Sequence, residues 1–302
     1  MRKFTLIVLV LAVVACKNKE ADKAPVEATK PVDEVVAPKE QPPAATPKEL
    51  AAKLAACSGY VECSNLQKGL DTGGAAIAPD LVKVAVDTKR PKEAREVAAK
   101  ALVASKTTGT GMALFDAAKA DTDFLIRGPL YEAAGASGDE AVFTAAGAHL
   151  LTQAGWDDRI QVSKALHPFG KKTFDWAAAE IVKTKKFSHV STYGDLIANT
   201  ATAAELPAVE KLLAAIKEPM ARNHLAAAAA KLGSTTAFDV LLANLGSKEN
   251  LERNDAGSQL ASAVDKVPAD KKAAFAAAVE KAKASDTART MTPWDEILGK
   301  LK

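Results

Sequence analysis

Few side chains in this chain combine a reactive type with a spacing that suggests catalysis. The sequence contains no G-x-S-x-G motif, no S-x-x-K pair and no Walker phosphate loop. Its histidines are widely separated and form no HExxH or H-x-x-x-H zinc pair; they are His149, His167, His189 and His224. We therefore predict no catalytic residue, no metal site and no cofactor, which leaves the cysteines as the residues whose chemistry needs explaining.

Cys16 lies at the end of a segment that is typical of an export signal. Arg2 and Lys3 give a positive start, residues 4–15 are apolar, and Ala15 is a small residue before the cysteine. As a helix the apolar run would be about 18 Å long, whereas the hydrocarbon core of a bilayer is about 30 Å thick. We therefore expect residues 1–15 to be a cleaved signal peptide and not a membrane-spanning helix.

The junction Val13-Val14-Ala15-Cys16 resembles the lipobox of bacterial lipoproteins, in which an aliphatic, a variable and a small residue precede the modified cysteine. The resemblance implies that diacylglycerol is attached to Cys16, that cleavage occurs before it and that the new amine is usually acylated. The lipid bilayer is then one partner, because two or more acyl chains anchor a protein stably. Lys17 replaces the aspartate that marks inner-membrane retention in enteric bacteria, which implies the outer membrane of the cell envelope. Ordinary cleavage after Ala15, leaving a soluble protein, is the alternative.

A tether is expected between the lipid anchor and the folded part. Residues 17–47 are rich in Lys, Glu, Ala, Val and Pro, and the prolines recur too often for a helix. This stretch could span about 95 Å as polyproline II or about 30 Å as a flexible coil. We predict that residues 16–47 form the lipidated cysteine and a disordered tether, and that residues 48–302 form the folded part.

Cys57 and Cys63 are six positions apart, with Gly59 between them to ease a turn. In an exported protein such a pair predicts a disulfide bond. Closing so short a loop would stabilise the folded state by about 2 kcal/mol. The spacing is not the C-x-x-C of redox proteins, and no histidine lies nearby to complete a metal site. Two free thiols are the alternative.

The composition predicts helices and argues against a nucleic-acid partner. Hydrophobic residues make up 48% of the chain but aromatic residues only 5%. The apolar content is therefore mostly alanine with leucine and valine, which suits close helix packing and suits strands poorly. The net charge is only +3, so the chain has no long-range attraction to nucleic acid.

Arginine recurs along the chain at nearly constant intervals. Five of the chain's arginines, here called markers, are 32, 32, 63 and 31 positions apart, and the longest interval is two periods with Val190 at the empty position; they are Arg95, Arg127, Arg159, Arg222 and Arg253. Four positions after most of these markers the residue is small, as at Ala99, Ser163 and Gly257. Small residues at this offset lie on one helical face, so the pattern predicts one marker helix per repeat.

A second set of helices is expected ahead of the markers, near residues 79–86, 112–120, 140–152, 172–184, 206–216 and 235–245. Acidic residues precede most of the arginines; they are Asp123, Asp157, Asp158, Glu218 and Glu249. This arrangement resembles HEAT repeats, in particular the short variant of phycobilisome lyase-like proteins, over about residues 79–267. The resemblance implies an all-α solenoid of about six helical pairs, with caps at about residues 48–75 and 268–302, and it is interrupted at Val190.

Two groups of residues could bind a ligand or could have a purely structural role. The arginine ladder, which consists of the five arginines above, could bind anionic groups or could pair with neighbouring turn carboxylates. A second group could form a basic contact patch or a solvated helix face; it comprises Lys171, Lys172, Trp176, Lys183, Lys185 and Lys186. The structural interpretation is favoured for both groups.

These expectations favour a non-enzymatic scaffold that is anchored in the membrane and binds an unidentified protein partner through its solenoid. The alternative is a periplasmic ligand carrier or a lyase-like enzyme built on the same repeats, which only the resemblance suggests.

Overall fold

A computed structural model describes residues 45–152, 155–184, 186–286 and 292–302. The expected signal peptide, Cys16 and almost all of the tether lie outside the described residues, and so does Lys185. Over the described ranges the chain is helical and contains no strand, which confirms the all-α fold class. No described helix is both long enough and apolar enough to cross a membrane.

Three short helices precede the repeats: α1 (Pro47–Ala56), α2 (Tyr60–Ser64) and α3 (Gln67–Asp71). Helix α1 begins at the last residue assigned to the tether because Thr46 and Glu49 form a capping box, in which each side chain accepts a hydrogen bond from the other's backbone N–H. The Sγ atoms of Cys57 and Cys63 are at bonding distance, 2.06 Å apart. This link holds the end of α1 against α2.

Six helix pairs form the body of the fold, and in each pair a first helix leads through a short turn into a second helix that carries a ladder position. The pairs are α4 (Ala78–Val86) with α5 (Lys92–Ser105), α6 (Gly111–Ala120) with α7 (Phe124–Ala136), α8 (Glu140–Thr152) with α9 (Trp156–Ser163), α10 (Lys171–Ile181) with α11 (Phe187–Thr200), α12 (Leu206–Ala215) with α13 (Pro219–Lys231), and α14 (Ala237–Leu245) with α15 (Asn250–Ala261). Each second helix packs on the second helix of the next pair. The helical-repeat solenoid is therefore confirmed, and each first helix begins within two residues of its expected start.

Two helices, α16 (Lys272–Ser285) and α17 (Trp294–Leu301), cover the last pair. Helix α16 packs against α14, and α17 packs against α15. The indole of Trp294 lies so close to Gly257 that a Cβ atom at this glycine would be only 2.3 Å from the ring. Glycine on α15 therefore makes room for the aromatic side chain that closes the array.

Helix α13 explains why the chain is rich in alanine. It packs against α11, α12, α14 and α15, and the alanines at positions 226–230 are each at most 1% exposed. A methyl side chain allows four neighbours to approach one helix closely, whereas larger side chains would hold them apart. The neighbour α11 also uses a small residue at this contact, because a Cβ atom at Gly194 would lie 2.8 Å from Cβ of His224.

Helix α9 is the irregular member of the row of second helices. It has 8 residues, whereas the other five have between 12 and 14. The chain then turns and forms a 3-10 helix (His167–Phe169), after which Gly170 adopts a positive φ of 53°. A Cβ atom at Gly135 of α7 would lie 2.2 Å from the carbonyl oxygen of Ala165 in this turn. The early end of α9 leaves a recess between α9, α11 and α13.

We expect Ala228→Leu to destabilise the fold by about 1–3 kcal/mol, because three further carbon atoms must fit between closely packed helices. Urea unfolding followed by circular dichroism measures the effect. Ala214→Leu on the exposed surface of α12 is the matched control and should change the free energy of unfolding by about 0.5 kcal/mol or less. Equal effects of the two substitutions would contradict the packing described for α13.

Candidate functional site

Arg159 is the most deeply buried member of the arginine ladder, with no exposed surface. Its Nη1 donates to the carbonyl oxygen of Leu150 near the end of α8, and its Nε donates to Ser188 O at 3.3 Å and Thr192 Oγ1 at 3.2 Å on α11. The guanidinium carbon lies 5.7 Å from the ring centroid of Tyr193. Burial lowers the pKa of this guanidinium, and the interaction with Tyr193 partly offsets the effect. Arg159 therefore joins two successive pairs.

The other ladder arginines also satisfy groups within the fold. Three of them donate to carbonyl oxygens at or just beyond the end of the first helix in their own pair, where helical carbonyls lack partners. These contacts are Arg95 Nε to Ala85 O at 3.0 Å, Arg222 Nη1 to Leu213 O and Ile216 O at 3.1 Å each, and Arg253 Nη1 to Ser247 O at 2.9 Å. Arg253 Nη2 also donates to Ser285 O at the end of α16, at 3.0 Å.

Carboxylates contact the ladder from the following unit and not from the arginine's own turn. Arg95 forms an ion pair with Asp121, and Arg127 forms one with Asp158. Two of the acidic residues ahead of the arginines instead cap their own helices: Asp123 accepts from the N–H of Leu125 at 2.9 Å, and Glu218 accepts from the N–H groups of Met220 and Ala221. The ladder guanidinium groups are thus engaged in contacts inside the solenoid.

The structure does not bring the described lysines of the expected basic patch together. Lys171 and Lys172 begin α10, where their Nζ atoms contact Asp175 at 2.7 Å and Glu140, respectively. Lys183 lies beyond the other end of α10, about 16 Å away along the axis, and its Nζ contacts Glu180 at 2.7 Å. Trp176 is half-buried between Phe143 and Tyr193, with ring centroids 6.4 and 5.4 Å apart, while Lys186 is exposed at the start of α11.

The recess between α9, α11 and α13 is a cleft of about 180 Å³, in which polar residues supply most of the lining positions but most of the accessible lining surface is apolar. It is lined by Ile160, Ser163, Ser191, Thr192, Asp195 and His224. The sequence pattern singles out none of these six residues as a site. Three of them could have been predicted from their offsets. Ile160 and Ser191 each lie one position after a ladder position, and Asp195 lies five positions after one. Such offsets place residues on one face of successive helices.

His224 is the buried polar centre of the cleft. Its Nε2 lies 3.2 Å from Ser191 Oγ and 3.6 Å from Asp255 Oδ1. Its Nδ1 is buried and has no hydrogen-bond partner among the described residues. In a catalytic triad the serine and the carboxylate bind opposite nitrogens of the imidazole, so that the ring can take the serine proton. Here Ser191 and Asp255 both lie at Nε2 of His224, so the three side chains do not have the geometry of a catalytic triad.

Two carboxylates near His224 have opposite pKa shifts. Burial raises the pKa of Asp195, but the nearby imidazoles of His167 and His224 and the amide of Asn199 together lower it by more, so the net shift of the pKa is downward. Burial raises the pKa of Asp255 and outweighs the effects of His224 and of the hydrogen bond from Asn223 at 2.8 Å. The shift favours the ionised form of Asp195, which lies at the mouth of the cleft with 45% of its side chain exposed.

Within the described ranges, no group of three or more His, Cys, Asp or Glu side chains could hold a metal ion. Comparison of the chain with protein-family models and with curated proteins found no match.

We expect Arg159→Met to destabilise the fold by about 3 kcal/mol, because two buried carbonyl groups and a hydroxyl lose their donor. The free energy of unfolding measures this loss. Arg90→Met is the control: Arg90 is exposed, pairs with Asp87 and donates to Ala55 O, and its loss should cost about 1 kcal/mol or less because water can replace these contacts. The assigned role of Arg159 is wrong if the two variants are equally stable.

Proposed function

We propose that this protein is a membrane-anchored lipoprotein whose solenoid binds a protein partner without catalysing a reaction. The observation that carries the proposal is a stripe of exposed residues along the row of second helices, here called the second-helix face. It consists of Lys100, Glu132, Ile160, Asn199 and Ser258, one from each of α5, α7, α9, α11 and α15. On α13 the residues one and five positions after Arg222, Asn223 and Ala227, are buried, whereas Lys231 at offset nine is exposed.

The offsets and charges of the second-helix face support a protein partner. Its members lie one, five or nine positions after their ladder positions, and these offsets share one side of a helix. Both signs of charge and neutral groups occur along the stripe, so it has no strong field of one sign that would favour nucleic acid. Repeat arrays bind partners over such extended surfaces because every unit adds one contact.

The lipid anchor supports a role at a membrane. Acylation of Cys16 would hold the chain at the outer membrane, and the tether would let the solenoid reach a partner about 30 Å or more from the bilayer surface. The proposed function is therefore to hold a protein partner close to the cell envelope.

A periplasmic ligand carrier is a second candidate, because the cleft beside His224 offers a recess with buried polar groups. The two functions differ in where binding occurs. A scaffold would contact its protein partner along the whole second-helix face, whereas a carrier would bind its ligand in the cleft alone.

Site-specific photo-crosslinking of the full-length protein in its own cells tests the scaffold function. We expect benzoylphenylalanine at Lys100, Glu132 or Ser258 to give a crosslinked product of one defined mass, because these positions lie on the proposed contact surface. Lys211 and Ala214, which are exposed on the first helix α12, are the control positions. Crosslinking of equal strength from α12, or none from the second-helix face, would rule out this surface as the partner site.

We expect Cys16→Ala to abolish incorporation of radiolabelled palmitate and to block cleavage of the leader, because the thioether cannot form. Cys63→Ala is the control and should retain the label, since that cysteine is bonded to Cys57. Unchanged labelling and processing of Cys16→Ala would refute lipidation at this residue.

A further inference from the structure

The cleft between α9, α11 and α13 presents hydrogen-bond acceptors more than donors. Ser163 Oγ donates its hydrogen to Ile160 O at 2.9 Å, and Thr192 Oγ1 donates to Ser188 O at 2.8 Å. Each hydroxyl has a single hydrogen. These two hydroxyls therefore offer only lone pairs to a molecule in the cleft.

The guanidinium of Arg159 contacts Thr192, one of the residues that line the cleft. The guanidinium of Arg159 lies behind Thr192 and directs donors at the carbonyl oxygens of Leu150 and Ser188. Its Nε also donates to Thr192 Oγ1. Thr192 Oγ1 accepts this hydrogen bond with one of its two lone pairs and retains the other.

Asp195 adds a negative charge at the mouth of the cleft. Among the described residues, no lysine or arginine lies within ion-pair distance of this carboxylate. Its contacts are the Nδ2 of Asn199 at 3.0 Å and the Nε2 of His167 at 3.8 Å. Nearly half of the side chain remains exposed, so a cation could reach the carboxylate without displacing a strong ion pair.

Ile160 gives the cleft an apolar wall. It is one of the few large hydrophobic side chains of the second helices that remain exposed, at 39% of its surface. It lies on the short helix α9, three residues before Ser163. A short aliphatic chain can pack against this side chain while a polar group at its end reaches Asp195.

We infer that the cleft binds a primary ammonium group at the end of a short alkyl chain. An ammonium carries one positive charge and three donors and no acceptor, which complements the carboxylate and the lone pairs of Ser163 and Thr192. The alkyl chain packs on Ile160. The ammonium comes either from a lysine side chain of a bound protein or from a free alkylamine. In its lysine form the inference rests on the proposed scaffold function.

Titration of the full-length, detergent-solubilised protein tests the inference, with the methyl group of Ile160 observed by NMR. The probes are n-butylammonium chloride and an acetylated, amidated Ala-Lys-Ala peptide. The neutral controls are n-butanol and the same peptide acetylated on the lysine Nζ. We expect saturable shifts of the Ile160 signal with at least one ammonium probe, and binding weaker by about tenfold or more with its neutral control, because a charge-assisted hydrogen bond is lost.

Asp195→Asn tests the carboxylate directly, since it removes the charge with little change in shape and alters a side chain that is partly exposed. We expect it to weaken ammonium binding by about tenfold or more. Asp239→Asn is the matched control, because Asp239 is an exposed aspartate paired with Lys271 outside the cleft, and it should bind the probes as the wild type does. If Asp195→Asn is unstable, the difference between the ammonium probes and their neutral controls on the wild-type protein still tests the inference.

The two ammonium probes distinguish the sources. Binding of the peptide alone supports a lysine of a protein partner, and equal binding of n-butylammonium supports a free amine. No saturable binding of either probe, or equal binding of the neutral controls, overturns the inference. Crosslinking from the second-helix face tests the scaffold function separately, so a crosslinked partner with no ammonium binding would remove the inference and leave the scaffold intact.

Discussion

Every α-helix ends with carbonyl groups that have no donor within the helix, and a chain of helix pairs repeats this problem at each turn. Arginines of the ladder, which lie on the second helices, donate hydrogen bonds to carbonyl oxygens at the ends of the first helices. Arg159 and Arg222 reach carbonyl oxygens nine residues earlier, and Arg95 reaches one ten residues earlier. Because the side chain has a fixed length, the turn between the two helices must also have a nearly fixed length. The similar offsets of nine and ten residues between these arginines and their carbonyl acceptors follow from this geometric constraint.

The sequence contains enough information for the repeat but not for all of its contacts. Arginine and small residues recur at constant offsets, so the six pairs and their first helices could be predicted from spacing alone. The acceptors of the arginines could not, since a backbone carbonyl has no signature in the sequence. The lysine group was hard to interpret for a related reason, because Lys172 contacts Glu140, which is 32 residues earlier and one unit away. Proximity along the chain does not identify partners that the stacking of units brings together.

The cleft lies where two adjacent units depart from the regular repeat. Val190 occupies the position where the ladder lacks an arginine, and it is buried. Arg159 from the preceding unit extends to Ser188 and Thr192 at the start of the same helix. The shortened α9 and the missing arginine therefore belong to one rearrangement of two adjacent units. Regular units form a continuous surface, whereas this irregular junction forms a recess that only tertiary packing reveals.

The burial of α13 has a consequence for how the solenoid unfolds. In a helical array each unit touches only its neighbours, so the coupling between units depends on how much surface adjacent units bury against each other. Helix α13 contacts both helices of the last pair and the second helix of the pair before it. Opening any of these exposes its alanine core, which couples the last three pairs into one cooperative block. The boundary of this block falls near α9, so local opening there would change the cleft while the C-terminal half stays folded.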